Sequence, residues 1–239
     1  MHRFILNESA APGRVLALDE DERNHALRVL RMENGDEAEA ADAAGNLFRV
    51  RLVTGGPDAS LEILEAVEAR EAPVDVTLYQ GFPKFDKLEF TVQKATELGV
   101  KRIEPVFMAR CVVKLDRREC AKRMERVTKI AREAVKQCGR NLCPEIGTGI
   151  SVKEMPKHEL MLLPWEDARG VRIRDVYRAH PEAKDIAVII GPEGGISPEE
   201  VEGMKALGAI PVTLGPRILR TETASVAAVT EVMTLWGDL

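Results

Sequence analysis

Five strand-like runs separated by helical stretches organise residues 74–239: Val74–Tyr79, Arg102–Phe107, Leu160–Leu163, Ile186–Ile190 and Ile210–Leu214. A run this short that is apolar on both faces reads as a strand buried on both sides. The intervening segments carry helix punctuation. Lys84–Leu98 is closed by Gly99, a residue suited to the left-handed position after a helix. Arg117–Cys138 places Cys120, Met124, Val127, Ala131, Ala134 and Cys138 at helical spacing, with Gly139 after it. Ser197-Pro198-Glu199-Glu200 supplies an N-cap, a proline at the first helical position and a capping-box glutamate. Glu222–Trp236 is the last helix, ended by Gly237. Strand and helix in alternation predict a mostly parallel sheet covered on both faces. Such a sheet gathers the loops leaving its strands on one edge, where ligands bind.

The first seventy residues have a different rhythm. Phe48, Val50 and Leu52 alternate with Arg49 and Arg51, the period-2 pattern of a half-buried strand. Ala44-Gly45-Asn46 turns the chain into it from a strand at Glu37–Ala41, and Leu61 with Ile63 continues the alternation. One helix interrupts them: Asp19 and Glu22 form a capping box, and Ala26, Leu27 and Leu30 give an apolar face. Gly55-Gly56-Pro57 is a loop within this small β-barrel-like domain, and the polar stretch Glu68 to Pro73 bounds it.

Charge is distributed unevenly. The net charge of −5 does not advertise a polyanion partner. Yet residues 1–72 hold 8 basic and 15 acidic side chains, whereas residues 101–140 hold 13 basic and 5 acidic. A basic belt inside an acidic chain is read either as a phosphate-binding surface or as a solvated helix face, and the two readings stand level. No apolar run approaches the roughly 20 residues of a membrane span, and the N-terminus lacks a signal-peptide core, so the expected compartment is the cytoplasm. The cysteines at 111, 120, 138 and 143 form no CxxC pair and are expected to be buried reduced thiols; no metal site is expected.

Two segments carry the chemistry. Ile190-Gly191-Pro192-Glu193-Gly194-Gly195 and Leu214-Gly215-Pro216-Arg217-Ile218-Leu219-Arg220-Thr221-Glu222-Thr223-Ala224 each follow a predicted strand and lead into a helix. The G-x-x-G-G spacing is neither the dinucleotide fingerprint nor the P-loop, so it does not indicate a dinucleotide or triphosphate. A tight strand-to-helix turn explains it equally well. The second segment sets Arg217, Arg220 and Glu222 around apolar Ile218 and Leu219, which suits a ligand with an aromatic body and polar edges. A third loop, Pro164-Trp165-Glu166-Asp167, leaves another strand on the same expected edge.

Together these two segments resemble the signature of the RsmE-type ribosomal RNA methyltransferases of the SPOUT superfamily. So do Gln93-Lys94-Ala95-x-Glu97-Leu98-Gly99-Val100, Arg110-Cys111-x-x-Lys114, Gln137-Cys138-Gly139-Arg140 with Pro144, and His25-x-x-Arg28-Val29-Leu30-Arg31. The matches span nearly the whole chain in order. The resemblance implies S-adenosyl-L-methionine-dependent methylation of N3 of a uridine in small-subunit (16S) ribosomal RNA, by a homodimer, with no metal and no membrane. It implies a PUA-like RNA-binding domain over residues 1–70 and a SPOUT methyltransferase domain over 73–239, a mostly parallel α/β sheet with a C-terminal trefoil knot. Without the resemblance, the same pattern predicts an ordinary doubly wound sheet, since knots are rare.

By the same resemblance the cofactor slot comprises Leu163, Gly191, Gly195, Leu214, Gly215, Ile218, Leu219, Thr223 and Ala224. Arg217 and Arg220 are the candidate cations beside the uracil, and Glu222, or in second place Glu166, the candidate proton acceptor. Alternatively Arg220 and Glu222 pair and brace the knot. The candidate RNA contacts are His25, Arg28, Arg31, Arg49, Arg51, Lys114, Arg117, Arg118, Lys122 and Arg140, with the substrate expected within the small ribosomal subunit. Three other readings remain: a SPOUT enzyme acting on transfer RNA or on a ribose hydroxyl, a non-enzymatic RNA-binding assembly factor, and, weakest for want of either common phosphate motif, a nucleotide-binding α/β protein of unrelated function. Intact glycine and arginine loops argue against the second.

Overall fold

The computed structural model describes residues 2–55, 58–68 and 70–239, with Arg117 described by its backbone alone. Gly56 and Pro57 of the expected loop lie outside the described residues, as does the Arg117 side chain. The chain divides into two units. Met1–Glu71 with Val135–Leu142 forms the first, and Ala72–Ala134 with Cys143–Leu239 the second.

The first unit contains β1 (Arg3–Ile5), β2 (Val15–Ala17), α1 (Glu20–Asn24) running into a π-helical turn (His25–Val29), β3 (Glu37–Ala41), β4 (Leu47–Gly55) and β5 (Asp58–Val67). These strands make a five-stranded sheet in the order β1-β3-β4-β5-β2, antiparallel except for the β1–β3 pair. Alternation holds on β4, where Phe48, Val50 and Leu52 are buried with Phe4, Leu61 and Ile63 while Arg49 is exposed. Asp19 caps α1 by accepting from the Glu22 amide at 2.8 Å. The box is one-sided, however: the Glu22 carboxyl is buried against Lys136 at 2.8 Å, and burial pushes its pKa above the ordinary value. The unit also ties in residues 139–142, which periodicity alone assigned elsewhere. The Glu71 carboxylate accepts from the Asn141 and Leu142 amides at 2.8 and 2.9 Å.

The second unit contains β6 (Asp75–Gly81), α2 (Phe85–Glu97), β7 (Arg102–Phe107), α3 (Arg117–Cys138, of which residues up to 134 belong here), β8 (Glu145–Ile146), β9 (Ile150–Ser151), β10 (Leu160–Pro164), α4 (Ile173–Ala179), β11 (Asp185–Ile190), α5 (Pro198–Ala206), β12 (Ala209–Val212) and α6 (Thr221–Trp236). Its sheet has the order β12-β10-β11-β6-β7-β8, with β9 also on β7, and every pairing is parallel. Central strands are buried throughout, as their unbroken apolar runs require: Ile186 to Ile190 are all at most 2% exposed. Helix α2 buries Leu88, Val92 and Ala95 at intervals of three and four, and Gly99 follows at φ +94°. Ser197 and Glu200 complete a reciprocal capping box on α5. Val229 and Val232 of α6 join the core, and Val226, Ala227 and Leu235 are half-buried. Cys111 and Cys120 are buried free thiols; Cys138 is exposed and Cys143 half-buried, so burial does not extend to all four.

A partly buried relay links β6 to the start of β11 through His158. The Tyr79 hydroxyl lies 2.8 Å from His158 Nε2, and His158 Nδ1 lies 2.8 Å from Asp185 Oδ1. Burial, ahead of the neighbouring charges, pushes the Tyr79 phenol up to about 12. A pKa raised on folding stabilises the folded state below the unfolded value of about 10, and this contribution is lost as pH rises towards about 12. In a tyrosinate absorbance titration, one of the two tyrosines should resist ionisation until about pH 12. Tyr79→Phe should abolish that late step; an unchanged titration curve would contradict the burial.

Candidate cofactor-binding site

The loops leaving β10, β11 and β12 enclose a cavity of about 1150 Å³. Its wall includes Pro164 to Arg169, Ile190 to Glu193, Gly195 and Ile196, Thr213 to Thr221, and Ala224. Pockets that bury a drug-sized ligand run to about 300–1,000 Å³, so this one accommodates a nucleoside and an incoming group together. Lys87, on the first turn of α2, closes one side.

A buried hydrogen-bond network fixes the cavity floor. Gln80, fully buried near the end of β6, donates from Nε2 to Thr221 Oγ1 at 2.9 Å and to the Gly81 carbonyl at 3.0 Å. Thr221 Oγ1 donates in turn to the Gly191 carbonyl at 2.6 Å. Ser225 Oγ, one turn along α6, donates to Gln80 Oε1 at 2.5 Å. One glutamine therefore connects the glycine loop after β11 with the start of α6. Gly81 allows the same approach: a Cβ there would stand 2.5 Å from the Pro192 nitrogen. Gly195 adopts φ +74°, a conformation that favours glycine, and a Cβ on it would meet Glu166 Oε1 at 2.9 Å.

Polar groups are distributed around an apolar slot. Leu214, Ile218, Leu219 and Ala224 supply apolar surface. Among the described residues none hydrogen-bonds the peptide groups of Arg217, Ile218 or Leu219, which leaves donors and acceptors for a ligand's edge. At the rim, Lys87 Nζ stands 3.5 Å from Glu193 Oε1 and 3.2 Å from Glu222 Oε2. Burial acts to raise the Glu193 pKa, but the Lys84 amide, its own amide and the Lys87 ammonium outweigh it and hold the carboxyl below the ordinary range. One ammonium between two carboxylates leaves this corner acidic, which suits a cationic ligand.

The structure brings together on this wall Gly191, Gly195, Leu214, Gly215, Arg217, Ile218, Leu219, Arg220 and Ala224, nine of the twelve residues expected for cofactor and catalysis. Leu163 is instead fully buried in β10, one residue short of the wall, and Thr223 is exposed on the first turn of α6. Glu222 is not on the wall itself; it pairs with Lys87 at the rim and not with Arg220. Sequence reasoning missed Gln80, Ser225 and Lys87, because a lone amide, hydroxyl or amine on a strand or helix carries no spacing signal.

Of the RNA candidates, Arg28, Arg31, Lys114, Arg118 and Lys122 are exposed. Arg49 pairs with Glu65, and Arg51 bridges Glu37 and Glu62. His25 packs edge-on to Phe4 with ring centres 6.4 Å apart. Arg140 is a correction. It is 6% exposed, its guanidinium binds Glu71 at 2.7 Å, and it braces the first unit instead of facing solvent.

Comparison with known proteins supplies the context for this site. Residues 70–233 match the model of an RNA methyltransferase domain, and residues 18–63 that of an RNA methyltransferase PUA domain. The ribosomal RNA small subunit methyltransferase E of Bacillus subtilis is 34% identical over 222 residues, 89% of this chain and 87% of its own length. This chain belongs to the RsmE-type RNA methyltransferases. The Aquifex aeolicus member is 33% identical over 98% of this chain and 99% of its own. A Neisseria gonorrhoeae member, solved with S-adenosyl methionine bound, superposes with a TM-score of 0.88 at 35% identity, covering 100% of this chain and 99% of that one. A Legionella pneumophila methyltransferase solved with the same cofactor gives 0.86 at 34%, covering 99% and 98%.

The family's cofactor is S-adenosylmethionine, and the cavity fits it. The apolar slot with free peptide groups suits adenine, and the acidic corner suits a sulfonium and an ammonium. Replacing Gln80 with Leu removes its bonds to Thr221, Ser225 and the Gly81 carbonyl, while Thr221 Oγ1 and Ser225 Oγ keep their bonds to the Gly191 and Thr221 carbonyls. Each lost bond costs about 0.5–1.5 kcal/mol, so Gln80→Leu should destabilise the chain by roughly 1.5–4 kcal/mol and weaken S-adenosylmethionine binding at least about tenfold. Denaturant melts and calorimetric titration measure the two effects; wild-type values in both would remove the network from the site.

Proposed function

We propose that this chain methylates N3 of one uridine in 16S ribosomal RNA, and that the cavity holds the adenosyl portion of the donor. The observation that carries the reading is the convergence of three strand-end loops on one cavity in a chain that belongs, over its full length, to the RsmE-type family. The bound donor supplies an electrophilic methyl group on a sulfonium. The chain's task is alignment and charge stabilisation, since in-line displacement gains most from a fixed geometry.

Arg217 and Arg220 extend from the loop on the cavity wall, and both are exposed. We assign them the anion that forms when uracil N3 loses its proton. Glu222 accepts that proton in this reading. Lys87 holds its carboxylate beside the rim, two residues beyond Arg220. Glu166, also on the wall, is the alternative acceptor. The target base has to leave its stack to enter the cavity. The domain over residues 1–70 takes part in RNA binding, a role supported by the PUA match, through Arg28 and Arg31. Lys114, Arg118 and Lys122 add phosphate contacts from the domain over 73–239.

Three finer features complete the proposal. The segment after β12 returns from the sheet edge to α6, whose Thr221 and Ser225 bind Gln80 of β6, three strands inward; this path supports a trefoil knot. The homodimer rests on the family resemblance, with Ile218, 84% exposed at the cavity mouth, as one apolar side chain that a second copy can cover. No helix among the described residues is long and apolar enough to cross a membrane, and a ribosomal substrate within the small subunit places the work in the cytoplasm.

Mass spectrometry of 16S ribosomal RNA from cells lacking this gene should show one missing 3-methyluridine, restored by the wild-type gene. Arg220→Ala should cut the methylation rate by about 10²–10³-fold, the typical effect of deleting one charge-stabilising group, with the donor's calorimetric affinity nearly unchanged. Full methylation by Arg220→Ala would remove that residue from the mechanism.

A further inference from the structure

The outer face of α3 carries cations that nothing in the fold uses. Arg118, Lys122, Lys129 and Arg132 are all exposed. At about 100° per residue they fall within an arc of about 80°. They span about 21 Å at 1.5 Å per residue. The buried face of the same helix, made by Cys120, Met124, Val127 and Ala131, lies on the opposite side. Other cations of this helix are committed: Arg126 pairs with Glu89 at 2.8 Å, Arg123 lies 4.8 Å from the centre of the Phe85 ring, and Lys136 pairs with Glu22. The four in the stripe have no ion-pair partner among the described residues. Glu125, exposed in the middle of the arc, leaves the stripe with a net charge of about +3.

Two neighbouring pairs in this arrangement are unfavourable for a free helix, offset only in part by Glu125 at i, i+3 from Lys122 and i, i+4 from Lys129. Arg118 and Lys122 are like charges at i, i+4, and Lys129 and Arg132 at i, i+3, spacings at which like charges repel. A solvated face tends to alternate its signs. A straight row of unpaired cations on a rigid helix instead fits a linear polyanion.

We propose that the outer face of α3 is a sequence-independent docking rail for the sugar-phosphate backbone of the RNA substrate, with Arg118, Lys122, Lys129 and Arg132 each meeting a phosphate. This rests on the reading of the chain as an RNA methyltransferase. It extends that reading to Lys129 and Arg132, and it leaves Arg123, Arg126 and Lys136 out of the contact.

The test is the salt dependence of binding to a 16S ribosomal RNA transcript, read by fluorescence anisotropy. Phosphate contacts contribute slopes of about 0.7 each for single strands and 0.9 for duplex. The variant R118Q/K122Q/K129Q/R132Q should therefore lower the slope of log K against log salt by about 3. Its melting temperature and S-adenosylmethionine affinity should stay at wild-type values. The loss should be equal on an unrelated RNA of the same length, and Glu125→Gln should tighten binding. Should the quadruple variant melt early, the singles Lys122→Gln and Lys129→Gln should each remove about 0.7–0.9 of slope. A steep wild-type slope that survives the four substitutions would overturn the rail and leave the methyltransferase reading standing. Failure of the unsubstituted chain to bind either the transcript or isolated small ribosomal subunits would overturn both.

Discussion

The amide of Gln80 is the point on which the site turns. It sits in a fully buried strand, where an unpaired amide costs more than a satisfied one contributes, so each of its bonds constrains the groups around it. Through Thr221 it fixes the Gly191 carbonyl, and through Ser225 the first turn of α6. The glycine loop and the arginine loop belong to different strands, and hydrophobic packing alone has no directional means of setting their spacing. Directional bonds in a dry interior do. The absence of a side chain at Gly81 completes the arrangement by letting Pro192 approach.

Charge complements that geometry. The rim sets Lys87 between Glu193 and Glu222, and the loop above it carries Arg217 and Arg220. A cationic donor and a pyrimidine that becomes anionic make opposite demands, and the cavity offers carboxylates and guanidiniums on separate elements. The same separation recurs at larger scale: the chain is acidic overall, yet the outer face of α3 holds a row of unpaired cations. Net charge therefore says little about an RNA partner, and local arrangement says more.

Periodicity made much of the fold legible. The strand Arg102–Phe107 and the helix Arg117–Cys138 have in the structure the limits that their sequence pattern predicts. What escaped were pieces too short to show a period, such as β8, β9 and the seven-residue α4. Strand order escaped as well, because β11 lies between β10 and β6 through contacts remote in sequence. At the site, glycines and arginines in two loops announced themselves by spacing and reached the cavity wall. Leu163, carried over by the resemblance, did not: it lies inside β10, one residue before the wall begins at Pro164. Arg140 misled for another reason: an arginine in a basic belt reads as surface until its buried partner, Glu71, is seen. Gln80 had no signal at all, since its importance lies in three partners, two of them over a hundred positions away.

The most direct measurement is a crystal structure of this chain grown with S-adenosylmethionine. The account requires the adenine ring between the Gly191–Ile196 and Leu214–Ala224 segments, bonded to peptide groups of residues 217–219, with the sulfonium towards the Lys87–Glu193–Glu222 corner. Cofactor density on any other part of the second unit, or a cavity left empty at saturating cofactor, would contradict it.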